Sequence, residues 1–178
     1  MASVESPVTA PAPGWARRLP VDEKIFLWAV VASVVVMSLF TVAWLYLGHE
    51  NPPTDSYRTT PEAFAAKVQA FSDKYKEKDG RVHVPVGTDA YLMAMRFAFF
   101  PVLVVKANHP VKIWMSSMDA LHGFSLTGHG VNLNLTIAPN HAYGAVFTPS
   151  KPGKYLIVCN EYCGLSHHLM QAPLYVER

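Results

Sequence analysis

The stretch KYLIVCNEYCGLSHHLMQAPLYVER, residues 154–178, is the most informative part of the chain. Its two ends, KYLIV and APLYVER, are short runs rich in apolar and aromatic residues, as is typical of β-strands. The segment between them, CNEYCGLSHHLM, contains both cysteines of the chain, two of its eight histidines and a methionine. The pattern therefore predicts two strands joined by a loop whose side chains can converge on one point.

The sequence between Val82 and this stretch has the same pattern of short apolar and aromatic runs. Short runs such as VKIWMSS, VNLNLTIA and YGAVFT are rich in β-branched or aromatic residues, and Pro, Gly, Asn and Asp separate them. The segment SKPGKY, residues 150–155, is predicted to be a turn between two strands. We therefore predict an all-β sandwich or barrel of about seven to nine strands over residues 82–178.

The composition points to a membrane and gives no support for a nucleic-acid partner. The net charge is only +2, so no polyelectrolyte partner is implied. Hydrophobic residues make up 51% of the chain and charged residues 16%, which is apolar for a soluble domain.

The run IFLWAVVASVVVMSLFTVAWLYLG, Ile25–Gly48, contains no charged residue. A helix of this length reaches about 36 Å, enough for a hydrocarbon core of about 30 Å. A cleaved signal peptide is the alternative, but its apolar region would be shorter and a small-residue cleavage site would follow it. The segment HENPPTDSYR follows instead. We predict a retained transmembrane helix over residues 21–48, with a lipid membrane around it.

Basic residues flank the N-terminal side of this predicted span. Arg17, Arg18 and Lys24 precede its charge-free run, whereas His49, Glu50 and Asp55 follow that run before Arg58. The positive-inside rule therefore predicts a cytoplasmic N-terminus and a periplasmic or otherwise extracytoplasmic C-terminal domain. Residues 1–20, which are rich in Pro, Ala and Ser, are predicted to be a mobile cytoplasmic tail.

Residues 49–81 are predicted to be a linker that contains an amphipathic helix over residues 61–78. Thr60 can cap this helix, Pro61 suits its first turn and Gly80 ends it. A spacing of three and four residues places four side chains on one apolar stripe: Phe64, Val68, Phe71 and Tyr75. Such a helix either packs on the outer domain or lies at the membrane surface.

The spacing of ligands within CNEYCGLSHHLM favours a soft metal, because thiolate, thioether and imidazole select copper, zinc or iron–sulfur clusters. A disulfide between Cys159 and Cys163 would close a tiny loop of little stabilising value. It would also leave His167 and Met170 unexplained. Zinc seldom recruits Met, and catalytic pairs are more often spaced Cys-x-x-Cys. A single blue copper needs one thiolate and not two.

Two thiolates can instead bridge two copper ions, and each copper then needs an imidazole. His122, in the segment SSMDALHGFSL, is the candidate for the second imidazole, and Asp119 lies three residues before it. We expect His122 in a loop after the strand VKIWM, since loops from distant strands meet at one end of a sandwich. Among the remaining histidines, His49 is expected at the membrane edge, His83 and His109 on surface strands or turns, and His168 at an exposed partner surface. His129 and His141 are expected in loops near the same end of the sandwich, either supporting the ligands or merely solvated.

Two motifs resemble a known family. CNEYCGLSHHLM resembles the Cys-x-x-x-Cys-Gly-x-x-His-x-x-Met loop of cytochrome c oxidase subunit II, which carries the dinuclear copper centre CuA, and MDALHGF resembles the family's Asp-x-x-His-(Ser/Gly)-Phe segment. The resemblance covers residues 21–48 and 82–178 and implies a cupredoxin-like outer domain. The single span is similar to the one-helix subunit II of B-type oxidases. The helix at 61–78 and the pair Asn140-His141 depart from the family pattern.

The resemblance implies a ligand role for each matching residue. Cys159 and Cys163 would be the bridging thiolates. His122 and His167 would be the terminal ligands, one for each copper, and Met170 would be a weak axial ligand.

Four further residues have roles that the resemblance implies. Glu161 would contribute its backbone carbonyl, and in some members its carboxylate touches a magnesium ion at the interface with subunit I. Asp119 would support His122. Phe124 and Tyr162 would surround the site and help to exclude water.

The resemblance also implies a function. The chain would have no catalytic residue of its own; it would accept electrons from a soluble donor such as cytochrome c and pass them to the haem of subunit I. That subunit would belong to a haem–copper terminal oxidase, which reduces oxygen to water and couples this to proton translocation. The alternatives are the copper subunit of a haem–copper nitric oxide reductase and a free-standing, membrane-anchored cupredoxin that carries electrons. A quinol-oxidase subunit II is disfavoured because that form lacks the copper ligands.

One acidic residue before the span has a second candidate role. In the one-helix form of the family, a Glu-Lys pair lies at the cytoplasmic mouth of a proton channel. The segment VDEKIFLW places Glu23 and Lys24 at this position. The alternative for Glu23 is an ordinary charge just outside the membrane.

Overall fold

The computed structural model describes residues 19–47 and 55–178. The chain divides into two compact units, Met1–His49 and Glu50–Arg178. Most of the predicted cytoplasmic tail and the first residues of the predicted linker lie outside the described residues.

Helix α1 (Val21–Leu47) makes up nearly all of the described part of the first unit. It is 27 residues long and none of its residues is buried. Its length and composition are sufficient to cross a membrane. Asp22 and Glu23 lie in its first turn, where carboxylates interact favourably with the helix dipole. The prediction of one apolar N-terminal helix is confirmed, and its end lies within one residue of the expected position.

The second unit is a sandwich of two β-sheets. In spatial order, the first sheet contains β1 (Asp55–Arg58), β9 (His141–Phe147), β6 (Val111–Ser117), β3 (Ala90–Met95) and β4 (Ala98–Phe100). The second sheet contains β2 (Val82–His83), β5 (Leu103–Lys106), β11 (Gln171–Glu177), β10 (Gly153–Val158), β7 (His122–Gly128) and β8 (Val131–Ile137). The predicted all-β sandwich is confirmed.

Alternation along the strands explains why the two sheets face each other. In β10, Tyr155 and Ile157 are buried whereas Lys154 and Leu156 are exposed, as the period of two along a strand requires. The main core between the sheets is formed by large apolar side chains that include Leu92, Ile113, Met115, Phe124, Leu126, Leu133, Tyr155, Ile157 and Leu174.

The predicted number of strands is too low. From Val82 onward the chain forms ten strands, β2 to β11, where about seven to nine were expected. The run YLMAMRFAFF accounts for part of the difference, because it forms both β3 and β4, which pair antiparallel with Met93 opposite Phe100. The turn between them, at Arg96 and Phe97, contains no Gly, Pro, Asn or Asp, so the sequence carries no turn signal there.

The structure adds a strand to the predicted linker over residues 49–81. Residues 55–58 form β1, which pairs antiparallel with β9 and places Tyr57 opposite Ala142. The segment DSYR has little strand character of its own. It becomes a strand because β9 offers an edge on which backbone hydrogen bonds can form. The β-domain therefore begins before Val82.

Helix α2 (Pro61–Tyr75) packs on the first sheet, on the side away from the main core. Phe64 and Val68 are buried there against Met93 and Ala142. Thr60 caps the helix as predicted, since its hydroxyl accepts a hydrogen bond of 3.2 Å from the backbone N–H of Ala63. Of the two predicted locations for this helix, the structure shows the one on the outer domain.

The helix is shorter than the predicted range of 61–78. Lys76 has extended backbone geometry and forms an isolated antiparallel bridge with Val82. The helix ends at Tyr75 because Lys76 pairs with Val82, the first residue of β2 in the second sheet. Gly80 lies in the turn that follows the helix.

Three neighbouring strands bring the predicted motifs to one end of the second sheet. Val158, the last residue of β10, pairs with Ser125 of β7 on one side and with Gln171, the first residue of β11, on the other. The loop over residues 159–170 therefore begins and ends beside the start of β7, where His122 lies.

Phe64→Ala is expected to lower the free energy of unfolding by about 3–5 kcal/mol, because removal of a buried ring leaves a cavity. Chemical denaturation of the full-length chain in detergent would measure this loss. Gln69→Ala, on the exposed face of α2, is the matched control and should change the value by less than about 0.5 kcal/mol. Equal midpoints for the two variants would show that α2 is not part of the cooperative fold.

Candidate metal centre

The two cysteines lie side by side without a covalent bond. Cys159 and Cys163 are both buried and both free, and their sulfur atoms are 3.8 Å apart. A disulfide would require about 2.05 Å. Two thiols at this distance remain available as metal ligands.

His122 reaches this pair from β7. It is the first residue of that strand, whereas the sequence predicted a loop at this position. Its imidazole is fully buried, with Nδ1 3.8 Å from the Cys159 sulfur and Nε2 2.8 Å from Asp119 Oδ1. If Nε2 carries the proton and donates it to the carboxylate, the lone pair of Nδ1 faces the sulfur. A carboxylate that orients a histidine in this way is typical of metal sites.

Asp119 is held in its ionised form. Burial would raise the pKa of this carboxyl, but hydrogen bonds from the His122 ring and from the backbone N–H of Arg96 outweigh it, so that the pKa is lowered. A carboxylate that stays ionised keeps its hydrogen bond to Nε2 and so fixes the orientation of the imidazole.

The second cysteine has its own pair of neighbours. The Cys163 sulfur is 3.6 Å from His167 Nδ1 and 3.7 Å from Met170 Sδ. A short 3-10 helix, His167–Leu169, begins at the histidine, and Met170 follows its last residue. Side chains three residues apart in such a helix lie on the same side. The spacing of His167 and Met170 therefore directs both toward one sulfur.

The backbone of the loop also approaches the site. The carbonyl oxygen of Glu161 lies 3.2 Å from the Cys159 sulfur, which can donate to it. The Glu161 carboxylate turns outward, where it accepts a hydrogen bond of 3.2 Å from the Thr136 hydroxyl. The carbonyl thus lies beside the Cys159 thiol, while the exposed carboxylate contacts β8.

The two aromatic residues expected around the site differ in their surroundings. Phe124 is fully buried, with its ring edge-on to Phe99 at a centroid distance of 6.3 Å. Tyr162 is 76% exposed, and its ring lies 5.8 Å from that of His167. Tyr162 therefore lies against the imidazole of His167 while most of its own surface faces solvent.

Without a metal, the thiol of Cys163 is hard to ionise. Burial raises the pKa of this thiol to about 11, and the neighbouring Cys159 adds to the effect. A metal ion that binds here must displace the proton, so its binding free energy depends on pH.

Two residues that support the site were not predicted from the sequence. The side chain of Arg96 donates from Nε to the carbonyl of Cys163 at 2.9 Å. Gly123 lies so close to the loop that an added Cβ would approach the backbone nitrogens of Asn160 and Glu161 at 2.6 and 2.7 Å. The sequence contained an indication of each role. Arg96 is a single charge inside an apolar run, and Gly123 comes directly after the candidate histidine.

The donor set fits copper. Within residues 19–47 and 55–178, one group of three side chains offers ligand atoms within 4.8 Å of one another: His122, Cys159 and Cys163. His167 and Met170 extend this group through their contacts with Cys163. Two thiols, two imidazoles and a thioether are the soft and intermediate donors that copper prefers.

Comparison with solved structures identifies the fold as cupredoxin-like. A chain of a heme–copper terminal oxidase dimer is 24% identical, with a TM-score of 0.53, and the match covers 89% of this chain and 100% of that chain. Rusticyanin from Thiobacillus ferrooxidans is 16% identical, with a TM-score of 0.51, and the match covers 70% of this chain and 98% of that chain.

Comparison of sequences finds a family model that matches the site-bearing segment. Residues 97–177 match the family model of the cytochrome C oxidase subunit II periplasmic domain. Cytochrome c oxidase subunit 2 of Thermus thermophilus is 32% identical over 88 residues, which are 49% of this chain and 64% of that relative. This segment is therefore similar to the subunit II periplasmic domain, the family that the two motifs resemble. The chain spans less than two thirds of the length of this relative.

Gly123→Ala is expected to push the ligand loop away from β7, because a Cβ cannot occupy the gap to Asn160 and Glu161. Overpacking of this kind costs about 1–3 kcal/mol in the free energy of unfolding. Denaturation of the metal-free chain would measure it. Thr127→Ala, at an exposed position of the same strand, is the control. Equal stability of the two variants would mean that β7 does not hold the loop.

Proposed function

We propose that this chain binds a dinuclear copper centre of the CuA type. Cys159 and Cys163 would bridge the two copper ions, and His122 and His167 would each bind one of them. Met170 would be a weak axial ligand. The single observation that carries the proposal is the convergence of two thiols, two imidazoles and a thioether at one end of the sandwich.

The carbonyl of Glu161 is proposed as one further ligand, on the basis of its position 3.2 Å from the Cys159 sulfur. Its exposed carboxylate would be available to a magnesium ion at an interface with subunit I. Asp119 would orient His122 through their hydrogen bond.

We further propose that the chain is the subunit through which electrons enter a haem–copper terminal oxidase. It would accept electrons one at a time from a soluble donor such as cytochrome c and pass them to the haem of subunit I. There oxygen would be reduced to water, coupled to proton translocation. The family of residues 97–177 and the name of the Thermus thermophilus relative support this proposal over a nitric oxide reductase.

The residues around the site suit electron transfer. When bound, the copper pair supplies a redox site that spreads one electron over two metals. The protein's part is to hold the ligands in one arrangement in both redox states, which keeps reorganisation small. His122 begins β7, Cys159 and Met170 lie at the two ends of the ligand loop, and Cys163 lies within it. All four are buried, so their positions depend little on solvent.

His167 is the ligand side chain that reaches the protein surface. Its imidazole is partly exposed, and three exposed apolar side chains lie on the same loop: Tyr162, Leu165 and Leu169. An apolar rim around a partly exposed ligand supports docking of a redox partner at this end of the domain.

The proposed location is a cell membrane or inner membrane. Helix α1 would cross it once, with the N-terminus in the cytoplasm and the copper domain on the periplasmic or extracytoplasmic side. The basic residues before α1 support this orientation. Glu23, in the first turn of α1, would then lie on the cytoplasmic side, where it could take up protons for the oxidase.

Addition of copper to the full-length chain in detergent is expected to produce a purple, mixed-valence species. Its electron paramagnetic resonance spectrum should show hyperfine splitting from two equivalent coppers. Cys159→Ser and Cys163→Ser should each abolish this signal, because one thiolate cannot bridge two ions in the same way.

Two adjacent histidines provide the matched control. His167→Ala should abolish or alter the spectrum, whereas His168→Ala should leave it unchanged, because His168 is exposed and makes none of the contacts with the thiols. A one-copper signal from the unaltered chain, or a colourless protein after reduction and copper addition, would contradict the dinuclear site.

The complex purified through a tag on this chain is expected to contain haem and to consume oxygen when supplied with reduced cytochrome c. His167→Ala should lower this rate by at least about tenfold, with His168→Ala as control. Consumption of nitric oxide in place of oxygen would support the reductase alternative. A chain that purifies alone from its own membrane would support a free-standing electron carrier.

A further inference from the structure

The turn between β3 and β4 reaches across the sandwich to the ligand loop. Arg96 and Phe97 form this turn at the edge of the first sheet, whereas the loop over residues 159–170 connects two strands of the second sheet. Contacts between the two therefore join parts of the fold that no strand pairing connects.

Arg96 makes two hydrogen bonds that end on opposite halves of the site. Its side-chain Nε donates to the carbonyl of Cys163 at 2.9 Å, and its backbone N–H donates to Asp119 Oδ2 at 3.0 Å. The other oxygen of Asp119 lies 2.8 Å from Nε2 of His122. The side chain of Arg96 thus supports the backbone of Cys163. The backbone N–H of Arg96 supports the Asp119 carboxylate, which in turn contacts the His122 imidazole.

The neighbouring residue adds a steric contact to the same loop. Gly164 follows Cys163 with a positive φ of 141°, and a Cβ at this position would lie 3.1 Å from the ring of Phe97. The aromatic ring therefore lies against the backbone of the ligand loop. Arg96 and Phe97 together hold the segment Cys163–Gly164 against the first sheet.

The charge of Arg96 acts on the same site. A positive charge beside a redox centre favours the form that holds the extra electron. Arg96 is an exposed residue, so the effect of its charge is reduced by solvent screening. The charge nevertheless always favours the reduced form of the site, because arginine remains protonated in proteins.

We propose that Arg96 is a positioning residue of the copper centre, which holds Cys163 and His122 in one arrangement and raises the reduction potential of the site. This proposal rests on the proposed function. It concerns a residue outside both ligand motifs, and the contacts that carry it join the two halves of the donor set.

The test uses the full-length chain in detergent, loaded with copper and titrated electrochemically while its spectra are recorded. At the midpoint potential of the unaltered chain, Arg96→Ala should lower the ratio of reduced to oxidised protein about threefold, which is about 30 mV for a one-electron couple. The hyperfine pattern should also depart from that of two equivalent coppers, because the Cys163 side of the site loses the hydrogen bond from Nε while the backbone bond to Asp119 on the His122 side remains.

Two further variants separate positioning from general stability. Arg96→Lys keeps the charge without the directed Nε–H, so the potential should return toward the original value while the altered hyperfine pattern persists. Arg81→Ala removes an arginine that stacks on Tyr175 and pairs with Asp79, and it should change neither property.

The outcomes distinguish this proposal from the one on which it rests. If the unaltered chain shows no two-copper signal, the proposed function fails and this proposal fails with it. If the signal is present, and Arg96→Ala matches Arg81→Ala in potential and spectrum, only the role of Arg96 is overturned. If Arg96→Ala does not fold, Arg96→Lys decides, since an unchanged hyperfine pattern in that variant would overturn the proposal.

Discussion

The hydrogen bond from the backbone N–H of Cys159 to the carbonyl of Met170, 3.0 Å long, closes the ligand loop at its base. Because the next residues outward, Val158 and Gln171, are already paired between β10 and β11, strand register fixes both ends of the loop. Ordering a loop costs conformational entropy at every residue. Here the paired strands and the 3-10 helix order most of the loop backbone. The two thiols can therefore lie close together in a buried place without a covalent bond.

The site depends on both sheets, although all its ligand candidates belong to one of them or to its loop. Residues from the first sheet and its turns support these ligands from behind: Arg96 follows β3, and Asp119 follows β6. Because the supports and the ligands come from opposite layers, the main core that holds the layers together also sets the distances in the site. A cavity in that core would therefore disturb the site without touching a ligand.

The segment over residues 55–75 adds a third layer to the domain. Strand β1 extends the first sheet, and α2 covers the face of that sheet opposite the main core, where Phe64 and Val68 are buried. This explains a departure from the subunit II pattern noted in the sequence. The extra helix is part of the folded domain, and its apolar stripe is used by the sheet rather than by a membrane surface.

Local sequence patterns determined the apolar helix, the capped helix α2 and the composition of the ligand loop. Each of these depends on residues close together in the chain, such as Thr60 with Ala63 or Cys159 with Cys163. Tertiary structure decided what depends on distant neighbours. It made DSYR a strand on the edge of β9, turned the chain at Arg96 without a turn residue, and left Tyr162 exposed. Pairing and burial across the sandwich settle such features, because their energies come from contacts that no short stretch of sequence contains.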